Sequence, residues 1–202
     1  MSDAKPSPDE AFKLFTRHVG RVLREREFIG SGSNYRRARG SQWQAINIQK
    51  SQWRCKGDPV CFYVNIGIDY PGMRFKRWTQ LPTTLAKFIA TKADTTFRID
   101  DLFPRERFGW FACGQGVDGH NLDRFSARFE RVLTDQLVPL LDEMATPEGL
   151  ARVLRMLPWM VSAGARAFVG KDLAPPEWDP ADLDAGKWKQ DKQGRWWRQG
   201  ER

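Results

Sequence analysis

Polar side chains that could bind a partner alternate with aliphatic ones in two neighbouring stretches of the chain, residues 43–51 and 60–70. Period-two alternation predicts two β-strands, and the Lys-Gly-Asp-Pro sequence at 56–59 predicts the turn that joins them into a hairpin. Because successive side chains of a strand point to opposite faces, the aliphatic residues should face a core and the polar ones should share the other face. The polar set comprises Asn47, Gln49, Ser51, Trp53, Tyr63, Asn65 and Asp69. Amides beside aromatic rings favour hydrogen bonding and stacking, so this face is the strongest candidate binding site.

The register of the hairpin decides which polar side chains of this face lie opposite one another. Pairing that is symmetric about the turn places Gln49 or Ser51 opposite Asn65. We expect Arg37 and Arg98 to border the face. The competing interpretation is that the face is solvated or covered by a loop, and that its amides bond to one another.

No set of residues in the sequence identifies a reaction. A Ser or Cys nucleophile needs a base beside it, and the sequence has only two histidines, His18 and His120. His120 and Cys113 could form a pair in space, although we favour a capping or exposed histidine. We therefore expect no catalytic residues and lean towards a protein that is not an enzyme.

Two further patterns are typical of cofactor sites, and we expect neither to bind one. Residues 114–119 match G-x-G-x-x-G, but a dinucleotide loop needs a parallel βαβ unit, so we interpret them as a strand-to-helix turn. Asp100, Asp101, Glu106 and Asp118 would have to cluster around a metal ion in a metal-dependent hydrolase, and acidic residues are common in turns without metal. The three cysteines and two histidines do not have the spacing of zinc ligands.

Composition and charge predict one cytoplasmic domain with basic ends. A chain of 202 residues with 41% hydrophobic content is long enough for one sizeable core. The net charge is +8, and its whole excess lies in residues 1–42 and 186–202. The apolar stretches are too short to span a bilayer and the first residues are polar, so we expect no membrane association and a cytoplasmic location.

The basic ends give the alternative function, which is sequence-nonspecific nucleic-acid binding. Arg36, Arg37 and Arg39 form the densest run of charge before the tail, and a solvated edge strand protected from aggregation is the competing interpretation. In the tail, cations stand beside tryptophans that can stack on bases. The alternative site comprises Arg36, Arg39, Lys187, Trp188, Arg195, Trp196 and Trp197.

The fold class predicted from the whole pattern is α+β. An N-terminal helix begins at the Ser7-Pro8-Asp9-Glu10 capping motif and ends near residues 28–30. An antiparallel sheet of about five strands follows, covered by a long C-terminal helix and shorter helices. The expected strands after the hairpin are 95–103 and 107–113, and 34–40 is extended before it. The expected helices are a short one within 81–90, a long one over 121–144 that Pro139 kinks, and two shorter ones over 146–157 and 159–168.

The domain boundary is predicted at a proline-containing linker. Residues 1–174 form a single α+β domain, and 175–202 form the linker and a basic, Trp-rich tail with a small hairpin. Two strands alone are marginal in water. The tail tryptophans therefore dock on the domain or on a partner, or else the tail is disordered.

Four short motifs occur in an order that resembles the bacterial domain of unknown function family 4304. They are Phe28-Ile29-Gly30, Asn34-Tyr35-Arg36-Arg37, Ile46-Asn47-Ile48-Gln49-Lys50-Ser51 and Phe62-Tyr63-Val64-Asn65-Ile66-Gly67-Ile68. The resemblance covers roughly residues 12–113, and it implies an α+β fold with no assigned activity. Taken with the polar hairpin face, it predicts a binding or protein-interaction domain without catalytic machinery, whose partner is an unknown protein or small ligand.

Overall fold

The computed structural model describes residues 5–52, 58–71, 84–103, 116–176, 181, 186–190 and 196–199. It confirms the α+β class, with an N-terminal helix, a five-stranded antiparallel sheet and a set of later helices. The strands are β1 (Ile29–Ser31), β2 (Asn34–Arg39), β3 (Gln42–Lys50), β4 (Phe62–Asp69), β5 (Thr95–Arg98), β6 (Trp188–Gln190) and β7 (Trp196–Arg198). The helices are α1 (Pro8–Arg24), α2 (Ile99–Leu102), α3 (Leu122–Val132), α4 (Val138–Glu143), α5 (Pro147–Met156) and α6 (Ala163–Val169).

Helix α1 begins at the predicted capping box. The Ser7 hydroxyl accepts from the Glu10 amide at 3.4 Å, and the Glu10 carboxylate accepts from the Ser7 amide at 2.9 Å. The helix ends at Arg24, a few residues earlier than predicted. Glu27 has φ +68°, a left-handed conformation that turns the chain into β1, a strand the sequence pattern did not indicate.

The sheet has the order β1-β2-β3-β4-β5, so each strand pairs with its neighbour along the chain. Strand β2 lies between β1 and β3 and is not the edge strand predicted for its arginines, and β1 pairs with it over residues 34–36. The predicted hairpin register is also wrong. Asn47 lies opposite Asn65, and Gln49 lies opposite Tyr63.

Strand β5 is shorter than predicted because a helical turn replaces its second half. The strand ends at Arg98, whose amide donates to Oδ2 of Asp101 at 2.7 Å and so starts α2. The strand predicted over 107–113 lies outside the described residues.

The long helix over 121–144 forms as α3 and α4, joined by a π-helical turn at Leu133–Leu137. The Val138 amide bonds to the Leu133 carbonyl across this wider turn. Proline has no backbone N–H to donate to the preceding turn, and its ring clashes with that turn. The wider π-helical turn directly before Pro139 makes room for the ring. The helix predicted over 146–157 forms as α5, and Thr146 caps it by accepting from the Gly149 amide at 3.1 Å.

The main core lies between one face of the sheet, called the inner face here, and the helices. The alternating residues Ile46, Ile48, Val64 and Ile66 are fully buried there, as predicted. Burying side chains of this size stabilises the fold by about 1.5–3 kcal/mol each. Phenylalanine rings from α1, β4 and α3 form the centre of the core, and they include Phe12, Phe15, Phe62, Phe125 and Phe129.

A second, smaller apolar cluster covers part of the opposite, outer face of the sheet. Ala45, Phe88 and Ala90 are buried in it. The chain approaches the sheet so closely that a Cβ on Gly67 would lie 2.5 Å from Cα of Ala90. Residues 84–93, which we call the covering segment, therefore occlude one half of the outer face and leave the other half open.

In the tail, β6 pairs with β7, Trp188 is buried, and β7 lies against α5. No helix in the described part of the chain is long and apolar enough to cross a membrane.

Candidate functional site

A row of three amide side chains crosses the open half of the outer face. Asn34, Asn47 and Asn65 occupy matching positions on β2, β3 and β4. Nδ2 of Asn65 donates to Oδ1 of Asn47 at 2.9 Å, and Nδ2 of Asn47 donates to Oδ1 of Asn34 at 2.8 Å. The antiparallel register continues the row to Arg98, which lies opposite Asn65 on β5. Polar side chains from four strands are thus held in one line.

A second pair of side chains lies beside this row. Gln49 faces Tyr63, and Nδ2 of Asn65 also donates to Oε1 of Gln49 at 3.2 Å. The Arg98 guanidinium carbon lies 4.9 Å from the centroid of the Tyr63 ring, which is cation–π distance. We call Asn47, Gln49, Tyr63, Asn65 and Arg98 the outer-face patch.

The outer-face patch lies in a groove that stays accessible beside the covering segment. One open depression of about 620 Å³ includes Asn34, Asn47 and Gln49 in its lining. Another of about 440 Å³ is lined by Asn65, Arg98 and Met160 among others. Thr91 of the covering segment lines both depressions, and we call the two together the outer groove.

The structure brings together five of the eight residues proposed for partner binding. Ser51 is only 8% exposed at the end of β3, and Trp53 lies outside the described residues. Asp69, which the alternation placed on the same face, is 1% exposed and so does not contribute an accessible group. The amides also bond to one another, as the competing interpretation expects.

Arg37 does not border the patch, and this expectation is wrong. Its side chain alternates with its neighbours on β2 and lies on the inner face, 2% exposed. There its guanidinium bonds to Gln44, to the Arg26 carbonyl and to Asp142, and stacks 4.5 Å above the Phe28 ring. Burial lowers the pKa of Arg37, and the nearby Asp142 carboxylate opposes that shift.

Of the seven residues proposed for nucleic-acid binding, the structure shows two bonded to other groups of the protein and one buried. Arg36 donates to the Phe88 carbonyl at 3.3 Å. Arg39 pairs with Glu27 at 2.5 Å and with Asp142 at 3.0 Å. Trp188 is 4% exposed and so presents little ring surface to a base, whereas Lys187 is exposed. Arg195 and the side chains of Trp196 and Trp197 lie outside the described part of the structure.

The histidines considered for catalysis occupy separate sites. Nε2 of His18 lies 2.7 Å from the Glu130 carboxylate between α1 and α3. Nδ1 of His120 lies 2.9 Å from the Lys5 ammonium group. Cys113, the proposed neighbour of His120, is outside the described residues.

The described part of the Gly-rich sequence, residues 116–119, leads into α3, and of the acidic residues Asp100 and Asp101 lie in α2. Val117 pairs antiparallel with Val60, and the Asp118 carboxylate accepts from the His120 and Asn121 amides before α3. Within the described ranges, no three His, Cys, Asp or Glu side chains are placed to hold a metal ion. Glu106 falls outside those ranges.

Sequence reasoning missed Asn34 and the covering segment as parts of this surface. Asn34 alternates with Tyr35 at the start of β2, so its position on the outer face was readable once β2 was paired with β3. Thr91 gave no such signal, because a long-range contact between the covering segment and the sheet places it there.

The fold and the patch together define an α+β domain with an exposed polar sheet face. The family model described as Domain of unknown function (DUF4304) matches residues 19–143, which is more than half of the chain. The chain therefore belongs to this family. No curated protein and no solved structure matches it.

Proposed function

We propose that this chain is a protein-interaction domain that binds its partner through the outer-face patch. The observation that carries the proposal is the ordered amide row, which crosses the sheet and ends at an exposed arginine. Each amide has both a donor and an acceptor, so the row can pair with polar groups of either kind on a partner.

The side chains of the patch retain hydrogen-bonding capacity after bonding to one another. Among the described residues, no hydrogen bond or ion pair engages Nε2 of Gln49 or the guanidinium of Arg98. The bonds within the row hold Asn47 and Asn65 in place before a partner arrives. Side chains that are already ordered lose less conformational entropy on binding, which favours affinity.

The charge of the patch favours a protein partner over a nucleic acid. Arg98 is the one cation among the five patch residues, and of the described cations nearby, Lys50 is paired with Asp9 and Arg36 is bonded to the covering segment. Nonspecific nucleic-acid binding needs several cations that neutralise successive phosphates. A partner that offers mostly neutral polar groups and few charges matches the patch better.

Affinity capture from a cell lysate, followed by mass spectrometry, tests the proposal. The tagged full chain should retain a reproducible partner that the double variant Gln49→Ala/Asn65→Ala loses. The matched control is Gln136→Ala/Gln199→Ala, which removes two exposed amides elsewhere. Equal capture by both variants, with circular dichroism showing both folded, would contradict the proposal.

A further inference from the structure

We infer that the outer groove takes an extended peptide segment that carries an acidic side chain, and that Arg98 binds the carboxylate. The inference rests on the proposed function and adds the chemistry of the partner. It is drawn from three features of the groove, which are its length, its alternation of donors and acceptors, and the position of Arg98, the cation of the outer-face patch.

The length of the groove suits a short stretch of extended chain. Neighbouring strands lie about 4.8 Å apart, so the row from Asn34 to Arg98 spans roughly 14 Å across four strands. An extended peptide advances about 3.3 Å per residue, so about four or five residues cover the row. Every residue of such a peptide except proline offers one backbone donor and one acceptor, which the side-chain amides of Asn47, Gln49 and Asn65 can match.

The position of Arg98 specifies the acidic group. Stacking on Tyr63 orients the guanidinium, and a planar guanidinium binds a carboxylate through two parallel hydrogen bonds. Asp101 lines the same depression; its carboxylate accepts from the Arg98 backbone amide, and within the described part of the chain no ion pair joins it to the guanidinium. The guanidinium is therefore available to a carboxylate that a partner supplies.

The groove continues past Arg98, which places the acidic residue within the peptide. The depression beside Asn65 and Arg98 extends to Met160, a half-buried apolar side chain. A peptide that ended at Arg98 would leave this part empty. We therefore assign the carboxylate to an Asp or Glu side chain with further residues on both sides, rather than to a C-terminus.

Fluorescence polarisation with short synthetic peptides of about seven residues, long enough to overhang the row, tests the inference on the full chain. The probes have acetylated and amidated ends and carry Asp, Glu, Asn or Gln at the centre of otherwise randomised polar sequences. We expect the acidic pools to bind about tenfold tighter than the neutral ones, and more weakly as salt rises. Arg98→Gln should abolish this preference, Arg98→Lys should keep part of it, and Arg131→Gln, which removes an exposed arginine on α3, should keep all of it.

Other outcomes separate this inference from the proposed function. Equal binding of peptides with acidic and neutral centres would overturn the role of Arg98. If the Gln49→Ala/Asn65→Ala variant lost that binding, the proposed interaction surface would still hold. Tighter binding of neutral peptides with a free C-terminal carboxylate would overturn the internal acidic residue. If the chain bound single-stranded RNA and not peptides, and the same double variant lost the RNA binding, a peptide would not be the occupant of the groove. The absence of any binding that depends on Gln49 and Asn65 would overturn both proposals.

Discussion

Nη2 of Arg37 lies 2.7 Å from Oδ1 of Asp142, so a buried cation on β2 is joined to the C-terminal end of α4. Two neighbouring glutamines on β3 strengthen the same junction. Gln44 donates to the Leu141 carbonyl and Gln42 to the Met144 carbonyl, each at 2.6 Å. The last carbonyls of a helix have no partner within the helix, and here the sheet supplies donors for them. This polar junction fixes the helix on the inner face while the outer face keeps its groove.

We predict that Asp142→Asn lowers the free energy of unfolding by about 1–3 kcal/mol, because it leaves the buried Arg37 cation without its counter-charge. Only 1% of the Arg37 side chain is exposed, whereas 45% of Asp142 is exposed, so water can replace part of the lost interaction. Urea denaturation measures the change. Asp172→Asn, an exposed carboxylate in the loop after α6, is the control and should change stability little. Equal effects of the two substitutions would show that the Arg37–Asp142 pair does not stabilise the fold.

The amide row should contribute to stability unequally along its length. Asn47 donates to Asn34 and to the Ser33 carbonyl and accepts from Asn65, whereas Gln49 is exposed and only accepts. We predict that Asn47→Ala costs about 1 kcal/mol and Gln49→Ala less than about 0.5 kcal/mol. Thermal and urea unfolding of the two single variants would check this. A larger loss for Gln49→Ala would contradict the bonding pattern described here.

The faces of the hairpin could be predicted from sequence, but its register could not. Alternation alone correctly predicted that Val64 and Ile66 are buried and that Asn47 and Asn65 lie on the opposite face. A slip of two or four residues between β3 and β4 leaves every side chain on the same face, so alternation does not choose between these pairings. The pairing of Asn47 with Asn65 is therefore a property of the folded sheet, and the amide row with it.

Local motifs were predicted well, whereas contacts between distant residues were not. The capping box at Ser7 and Glu10 needs only neighbouring residues, and it forms as predicted. The position of Arg37 depends on Asp142, 105 residues away along the chain, and no local pattern indicates that pairing. Arg37 lies two residues after Tyr35 on the same strand and so shares its buried face, and this spacing was the one available sign that the arginine faces the core.

We predict that Gly67→Ala destabilises the fold by about 1–3 kcal/mol and loosens the covering segment. The added Cβ would lie 2.5 Å from Cα and 2.6 Å from the carbonyl oxygen of Ala90, and backbone atoms cannot move aside as a flexible side chain can. Hydrogen exchange should therefore speed up in residues 88–93 more than in α1. Thr96→Val, a change at the exposed position opposite Gly67 on β5, is the control. Unchanged exchange in residues 88–93 would show that the segment does not depend on this close approach.

The capping carboxylate of α1 should make stability depend on pH in the acid range. The backbone amide of Ser7 and then its hydroxyl donate to Glu10, and these bonds lower the pKa of the Glu10 carboxyl below its ordinary value of 4.5. Because the folded state holds the proton less tightly than the unfolded chain, this contribution is fully present above about pH 4.5 and is lost as the pH falls through the lowered pKa.

Glu10→Gln should therefore be less stable than the native chain at pH 7, and the difference should disappear as both are titrated to low pH. Urea unfolding at a series of pH values measures it. Glu148→Gln changes the first turn of α5 in the same way, but the structure shows no bond between that carboxylate and the Thr146 cap, so it serves as the control. A stability difference between native chain and Glu10→Gln that stays constant with pH would mean that the capping bonds do not depend on the charge of Glu10.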